Sequence, residues 1–284
     1  MGKRIVAMSL VLVMVLSFTT CGKGVELPSA QEIVDGAIQA LDNIRAYEFE
    51  IAMSMDVTGE AEGEAFEMTM VTDSSGAFDL ANRQMRMDMA MSVVLPGEDE
   101  VDMEIELYLI DSTGYIMMDV PGIGPVWEKE ELSEADWEET VEMLSLAEPQ
   151  IEILETAEVE VIGSEKIGGI DCYVVEITPD MEQFWETVMQ QATLGFVEEM
   201  GLPMVTEEIL DEVSYSFSAK QWIAKDTYFL IKVEIDMVIE LTPEAMGSPG
   251  EEGEATIDTS ISMLAYNYNQ PVSIELPPEA EAST

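Results

Sequence analysis

Apolar and polar residues alternate along several stretches of the chain, and methionine fills an unusual share of the apolar positions. A period of two predicts strands that bury one face and expose the other. The clearest stretch covers residues 46–58, where the apolar positions are Tyr47, Phe49, Ile51, Met53, Met55 and Val57. Three more predicted strands have apolar positions at Phe66, Met68 and Met70, at Met85, Met87, Met89, Met91 and Val93, and at Val101, Met103, Ile105, Leu107 and Leu109.

Short polar connections join these strands, with turn residues at positions 59–63, 73–76 and 111–114. Such connections predict an antiparallel meander, because parallel strands need long crossovers. Further alternations occur at residues 158–162, 172–177, 215–219, 229–241 and 257–265. We therefore predict an α+β fold that is mainly antiparallel β.

Three segments of the chain have helical periodicity; the first precedes the strands and the other two lie between them. Ser29 and Glu32 form a capping box that begins the first helix, which we expect to end near residue 43. The second helical segment spans residues 133–149. The third begins near residue 178 and places Phe184 and Trp185 on one face, which either packs on the sheet or forms a lid over an apolar cleft.

The first twenty residues have the form of an export signal. Lys3 and Arg4 precede an apolar run at residues 5–16, which is shorter than the roughly 20 residues that a membrane-spanning helix needs. The segment that ends at Cys21 resembles bacterial lipoprotein precursors, in which the cysteine becomes the first mature residue and carries the lipid. The resemblance implies lipid attachment at Cys21; the alternative is ordinary signal cleavage beside an incidental cysteine.

Composition excludes several classes of partner and reaction. The 59 acidic and 11 basic residues give a net charge of -48, which repels nucleic acid and anionic headgroups. The chain has no histidine, and therefore lacks the commonest general base and the usual zinc ligand. We expect no enzyme, no cofactor and no dedicated metal site, with weak surface calcium at most. Cys172, which has no partner once Cys21 is lipidated, is expected to be a small buried hydrophobe.

Methionine suits a surface that accepts a greasy ligand, because its side chain is flexible and polarizable. The residues that we expect to line such a site are Phe49, Ile51, Met53, Met55, Phe66, Met68, Met70, Met85, Met87, Met89, Met91, Phe184 and Trp185. Two alternatives use the same residues. They are a solid core that contains no cavity, and a thioether surface that binds Cu(I). Oxidation to sulfoxides offers a weaker, scavenging use.

Four segments carry a resemblance to a known superfamily. They are the entry into residues 46–50, Gly-Gly-Ile-Asp-Cys-Tyr-Val-Val at 168–175, Gln-Trp-Ile-Ala-Lys-Asp-Thr at 221–227, and Tyr-Asn-Tyr-Asn-Gln-Pro-Val at 266–272. In this order the chain resembles the bacterial lipoprotein carriers of the LolA type and LppX type. The resemblance implies a curved half-barrel of about ten strands, with helices covering the concave face and a cavity for acyl chains.

The sequence thus predicts a signal peptide at 1–20, a tether at 21–28, one half-barrel domain at 29–276 and a disordered tail at 277–284. We expect an exported monomer that is anchored to the outer face of the cell membrane by its lipid. Its expected function is to bind a hydrophobic molecule, such as a lipid, for carriage or sequestration. The alternative function is that of a surface or sensor lipoprotein with a solid core.

Overall fold

The computed structural model describes residues 27–61, 64–97, 99–133, 137, 157–180, 214–242 and 253–282. Within these ranges two helices flank eleven strands. The helices are α1 (Ala30–Leu41) and α2 (Pro278–Glu281). The strands are β1 (Ala46–Ala61), β2 (Glu64–Asp79), β3 (Gln84–Val94), β4 (Val101–Ile110), β5 (Thr113–Val120), β6 (Gly124–Glu131), β7 (Glu158–Ile167), β8 (Ile170–Thr178), β9 (Ser214–Ala224), β10 (Leu230–Leu241) and β11 (Ala255–Tyr266).

All eleven strands belong to one antiparallel sheet with the order β6-β5-β4-β3-β2-β1-β11-β10-β9-β8-β7. Every neighbour is also a neighbour in sequence except β1 and β11, which join the two halves at the centre. Strands β6 and β7 form the open edges. The predicted curved antiparallel half-barrel is therefore confirmed, with eleven strands where about ten were expected.

The apolar face of the sheet curves around helix α1. One core cluster contains Ile33 of α1, Leu109 of β4 and Val175 of β8. Strands β4 and β8 are seven positions apart, so a flat sheet would separate them by about 34 Å, whereas a helix is only about 10–12 Å wide. The sheet must bend for these residues to share one core with α1.

The predicted capping box begins α1. The Ser29 hydroxyl accepts from the Glu32 backbone N–H at 3.2 Å, and the Glu32 carboxylate accepts from the Ser29 backbone N–H at 3.0 Å. The helix ends at Leu41, two residues before the predicted end. It lies close to the β9–β10 turn, because a Cβ added at Gly36 would be 2.5 Å from the Tyr228 ring.

The structure corrects three predictions about strands. The expected turn at 73–76 is part of β2, which pairs along its length with both β1 and β3. Strands β5 and β6 were missed altogether. In β10 the register shifts between Leu230 and Lys232, so Ile231 packs in a second cluster with Trp222 and does not share the face of Val233.

Part of the segment 277–284, for which we expect disorder, forms the short helix α2. Ala280 is fully buried, and α2 contacts β6, although β11 ends five intervening strands away. The tail is therefore packed along the molecule. Of the predicted helix at 133–149 only Ser133 and Trp137 are described, and the Trp137 side chain lies in the core cluster. Cys21, Phe184 and Trp185 lie outside the described residues.

Candidate hydrophobic ligand site

Strand register brings the methionines of β1–β4 together on the apolar face. Directly opposed residues of antiparallel strands point to the same side of a sheet. Met55 lies opposite Met70, and Met91 lies opposite Met103. The resulting methionine patch consists of Met53, Met55, Met68, Met70, Met89, Met91 and Met103. Six of these were predicted site residues, and Met103 was not.

The side chains of the patch are only partly enclosed. Met70 and Met91 are buried, whereas the other five are half-buried. None of the seven belongs to the core cluster that surrounds α1. Half-buried thioethers at the side of a closed core form an adaptable apolar surface.

The opposite end of the same face, toward the start of β1, is a closed aromatic core. The rings of Tyr47 and Phe78 stack with centroids 5.1 Å apart, and those of Phe49 and Phe78 lie 5.7 Å apart. Met85 is 1% exposed. We call this region the aromatic end; its residues are Tyr47, Phe49, Phe78, Met85 and Leu109.

Four predicted site residues lie at or beside this closed core. Phe49 and Met85 are part of the core cluster, and Ile51 and Met87 pack against it. The remaining aromatic candidate, Phe66, lies at the far end of the patch, where its ring covers Gly59. Phe49 and Met85 are therefore positioned to stabilise the fold. The methionines of the patch lie on the same face but outside the core cluster.

Thr72 is the polar residue at the centre of the patch. It lies opposite Met53 on one side and Met91 on the other, and it is 7% exposed. Its Oγ1 atom has no hydrogen-bond partner. In sequence Thr72 continues the alternation of Met68 and Met70, but only the register shows that methionines flank it.

The polar face carries an open trough of about 790 Å³ on the other side of the sheet. Its charged lining residues are Glu50, Asp73, Asp88, Glu104, Glu106 and Lys232. Arg86, on the same face, pairs with Asp88 at 2.9 Å. Apolar residues also border it, among them Ile51, Met89 and Ile105. Five carboxylates against one amine make the trough acidic, which does not suit an anionic headgroup.

Neither metal nor thiol chemistry stands out in the described part of the chain. No group of three or more His, Cys, Asp or Glu side chains there is placed to hold a metal ion. Cys172 is fully buried, and desolvation raises the pKa of its thiol. A thiol in such surroundings is unreactive. Among the described helices, none has the length and apolar character to cross a bilayer.

Solved structures similar to this one include a lipoprotein and a lipoprotein-sorting protein domain. LppX from Mycobacterium tuberculosis is 12% identical, with 87% of this chain and 98% of that chain covered and a TM-score of 0.37. A putative outer membrane lipoprotein-sorting protein domain from Vibrio parahaemolyticus is 12% identical, with coverages of 87% and 95% and a TM-score of 0.27. A DUF1329 family protein from Desulfovibrio piger is 14% identical, with coverages of 87% and 96% and a TM-score of 0.24.

Two of these neighbours bear names of the types to which the sequence motifs pointed. Among curated proteins, none matches this chain. A family model does match, over residues 29–284, which is the whole of the given chain after the predicted tether. The chain belongs to the family of unknown function DUF6612.

Proposed function

We propose that this protein is a binding protein whose methionine patch holds the apolar part of a lipid or a similar hydrophobic molecule. The observation that carries the proposal is the strand register, which places seven methionines of four neighbouring strands on one face, outside the closed core. A rigid core favours branched and aromatic side chains in fixed rotamers, whereas methionine favours exchangeable contacts. Each methylene of a bound chain contributes about 0.8 kcal/mol when it leaves water.

The role that we propose is sequestration or carriage without chemistry. The sequence contains no histidine, and the patch has no titratable side chain. The argument for this role rests on the patch itself. Candidate lining residues outside the described ranges, Phe184 and Trp185, remain part of the proposal as residues that would extend the apolar surface.

Native mass spectrometry of the mature chain, purified without detergent, tests the proposal directly. We expect adducts with lipid masses that disappear on organic extraction. Met53→Glu combined with Met89→Glu should abolish the adducts, because a carboxylate cannot be buried against an acyl chain at an acceptable cost. Met53→Leu combined with Met89→Leu is the matched control, and it should retain them because volume and apolarity are conserved.

Circular dichroism of both variants keeps folding separate from binding. A wild-type protein that carries no adduct would favour the surface or sensor lipoprotein with a solid core. Adducts that survive on a folded glutamate variant would place the ligand away from the patch.

We further propose that the domain is exported and anchored by a lipid on Cys21. The support is the charged, then apolar, run that precedes Cys21 and the resemblance to lipoprotein precursors. Replacing Cys21 with Ser should release the protein from the membrane fraction into the medium. Retention of the variant on membranes would rule out Cys21 as the anchor.

Cu(I) binding is a second candidate function, and one observation favours it. Two pairs of thioethers, Met55 with Met70 and Met91 with Met103, face each other across neighbouring strands. Opposed side chains have Cβ atoms about 4.5–5.5 Å apart, so long side chains reach a common point. Thioether sulfur is a soft ligand that selects Cu(I).

A further inference from the structure

The Thr72 hydroxyl is a buried polar group without a partner, inside the surface to which we assign ligand binding. The residue is 7% exposed, and Oγ1 makes no hydrogen bond. Buried hydroxyls in proteins nearly always have a partner, because an unpaired one forfeits the hydrogen bonds that it made to water. A valine would fill the same position without this cost.

Three methionines and one serine surround Thr72 on its face of the sheet; the serine is Ser74, two residues later in β2, and no hydrogen bond joins the two hydroxyls. Met53 and Met91 lie directly opposite on the two adjacent strands, and Met70 lies two residues earlier on the same face of β2. A thioether is at most a weak acceptor. The backbone of β2 is paired with β1 and with β3 on either side of this position. The unpaired hydroxyl therefore lies enclosed among methionine side chains, and a ligand oxygen reaches it when these flexible side chains move aside.

We propose that Thr72 hydrogen-bonds an oxygen carried part-way along the apolar body of the ligand. The inference rests on the proposed function and narrows it: the ligand class is a lipid with a hydroxyl or carbonyl within its chain, distinct from a plain saturated acyl chain. A threonine hydroxyl both donates and accepts, so it suits either group. The methionines around it bind the chain on both sides of that oxygen.

A competition experiment on the mature, delipidated protein tests this ligand class. The reporter is N-phenyl-1-naphthylamine, and the competitors are methyl stearate and a series of methyl hydroxystearates that differ only in the position of the hydroxyl. Methyl esters avoid the repulsion that a free carboxylate would meet from a chain of charge -48. We expect at least one hydroxystearate to bind about tenfold more tightly than methyl stearate, as one added hydrogen bond in an apolar site allows.

Three variants assign the effect to Thr72. Thr72→Val should remove the preference while methyl stearate still binds within about twofold of wild type, since apolar contact is kept. Thr72→Ser should keep the preference, because it keeps the hydroxyl. Thr259→Val is the matched control. Thr259, on β11, is also buried on the apolar face and lies opposite Met55 of β1, and its replacement should leave the preference intact.

Thermal unfolding of the ligand-free protein provides a second measurement. Thr72→Val should raise Tm, because the unpaired hydroxyl is gone, whereas a hydroxyl that is satisfied within the protein would make the same change neutral or destabilising. Equal binding of all esters by wild-type protein and by Thr72→Val would overturn the inference and leave the proposed function standing. Failure of every ester to displace the reporter would overturn both.

Discussion

The aromatic end and the methionine patch lie on the same face of the same strands, yet they differ in enclosure. Phe78 is 1% exposed and touches two other rings, whereas Met53, Met55 and Met89 are half-buried and belong to no core cluster. The period of two is identical in both regions. The mix of side chains differs, since rings dominate the aromatic end and methionines make up the patch, and the one methionine of the aromatic end, Met85, is buried among the rings.

Side-chain flexibility accounts for this difference. Aromatic rings have two rotatable bonds and pack with defined geometry, as the stack of Tyr47 on Phe78 shows. Methionine has three rotatable bonds and adapts to an irregular partner. Strands β1, β2 and β3 each contribute to the closed core at one end and to the methionine patch at the other, so one sheet supplies both a folding core and the candidate ligand surface.

Truncation of Phe78 should produce the largest effect and should fall on stability. We expect Phe78→Ala to lower the free energy of unfolding by about 3–5 kcal/mol, because a fully buried ring leaves a cavity among Tyr47 and Phe49. Urea unfolding followed by circular dichroism measures it.

Met89→Ala is the comparison variant from the patch. Because Met89 is half-buried, its truncation should cost clearly less stability than Phe78→Ala, while it weakens reporter binding. Equal losses of stability from the two variants would mean that the patch is as much a closed core as the aromatic end.

Alternation in the sequence predicted the apolar faces of β1, β3 and β4, because apolar residues occupy every second position along most of each strand. Tyr108 of β4 is also buried, on the opposite face from Leu109. Strands β5 and β6 do not follow this pattern. Tyr115, Ile116, Met117 and Met118 form an unbroken apolar run in β5, and β6 is an exposed edge strand rich in acids, so neither strand shows a clean period of two. Both strands were missed for that reason.

The predicted turn at 73–76 failed because tertiary pairing overrides turn propensity. A Cβ added at Gly76 would lie 2.6 Å from the Phe49 ring and 2.3 Å from the Arg86 carbonyl oxygen. Gly76 is thus a close-contact position within a central strand and not a turn residue. The sequence shows the glycine but not the ring above it.

The candidate site was predictable in its residue type but not in its extent. Periodicity identified Met53, Met55 and Met89 as inward-facing. Cross-strand register is needed to separate them from Met85, which is buried in the core, and to place Thr72 between Met53 and Met91. Register depends on turn geometry and long-range pairing, and single-strand patterns do not encode it.

Tyr268, whose ring stacks on Tyr47 of the aromatic end, should make the stability of the protein sensitive to alkaline pH. Burial raises the pKa of Tyr268, whose hydroxyl donates to the Leu230 carbonyl. Because the folded state holds this phenol neutral, its contribution to stability is complete below the unfolded pKa of about 10 and is lost as the pH rises above it.

We therefore expect the free energy of unfolding to fall between about pH 10 and pH 11, with a shallower fall in Tyr268→Phe. Urea unfolding over this range measures the slope, and phenolate absorbance reports ionisation. Tyr215→Phe, which alters an exposed ring, should leave the slope unchanged. A slope in Tyr268→Phe equal to that of wild type would show that this phenol is not held neutral by the fold.

The smallest expected effect separates lipid from copper within the patch. Replacing Met55, Met70, Met91 and Met103 together by leucine conserves apolar volume and removes every opposed thioether pair. Lipid affinity, measured by displacement of N-phenyl-1-naphthylamine, should change by no more than about threefold, since volume-conserving apolar exchanges cost little. Cu(I) affinity, measured by competition with bicinchoninate under anaerobic conditions, should be lost if the sulfurs bind the ion.

A variant that keeps lipid affinity would show that the patch works through apolar contact, for which the thioether supplies adaptability and leucine suffices. If lipid affinity collapses while folding and Tm are retained, the flexibility of methionine is itself required, and the contrast with the rigid aromatic end is the basis of binding.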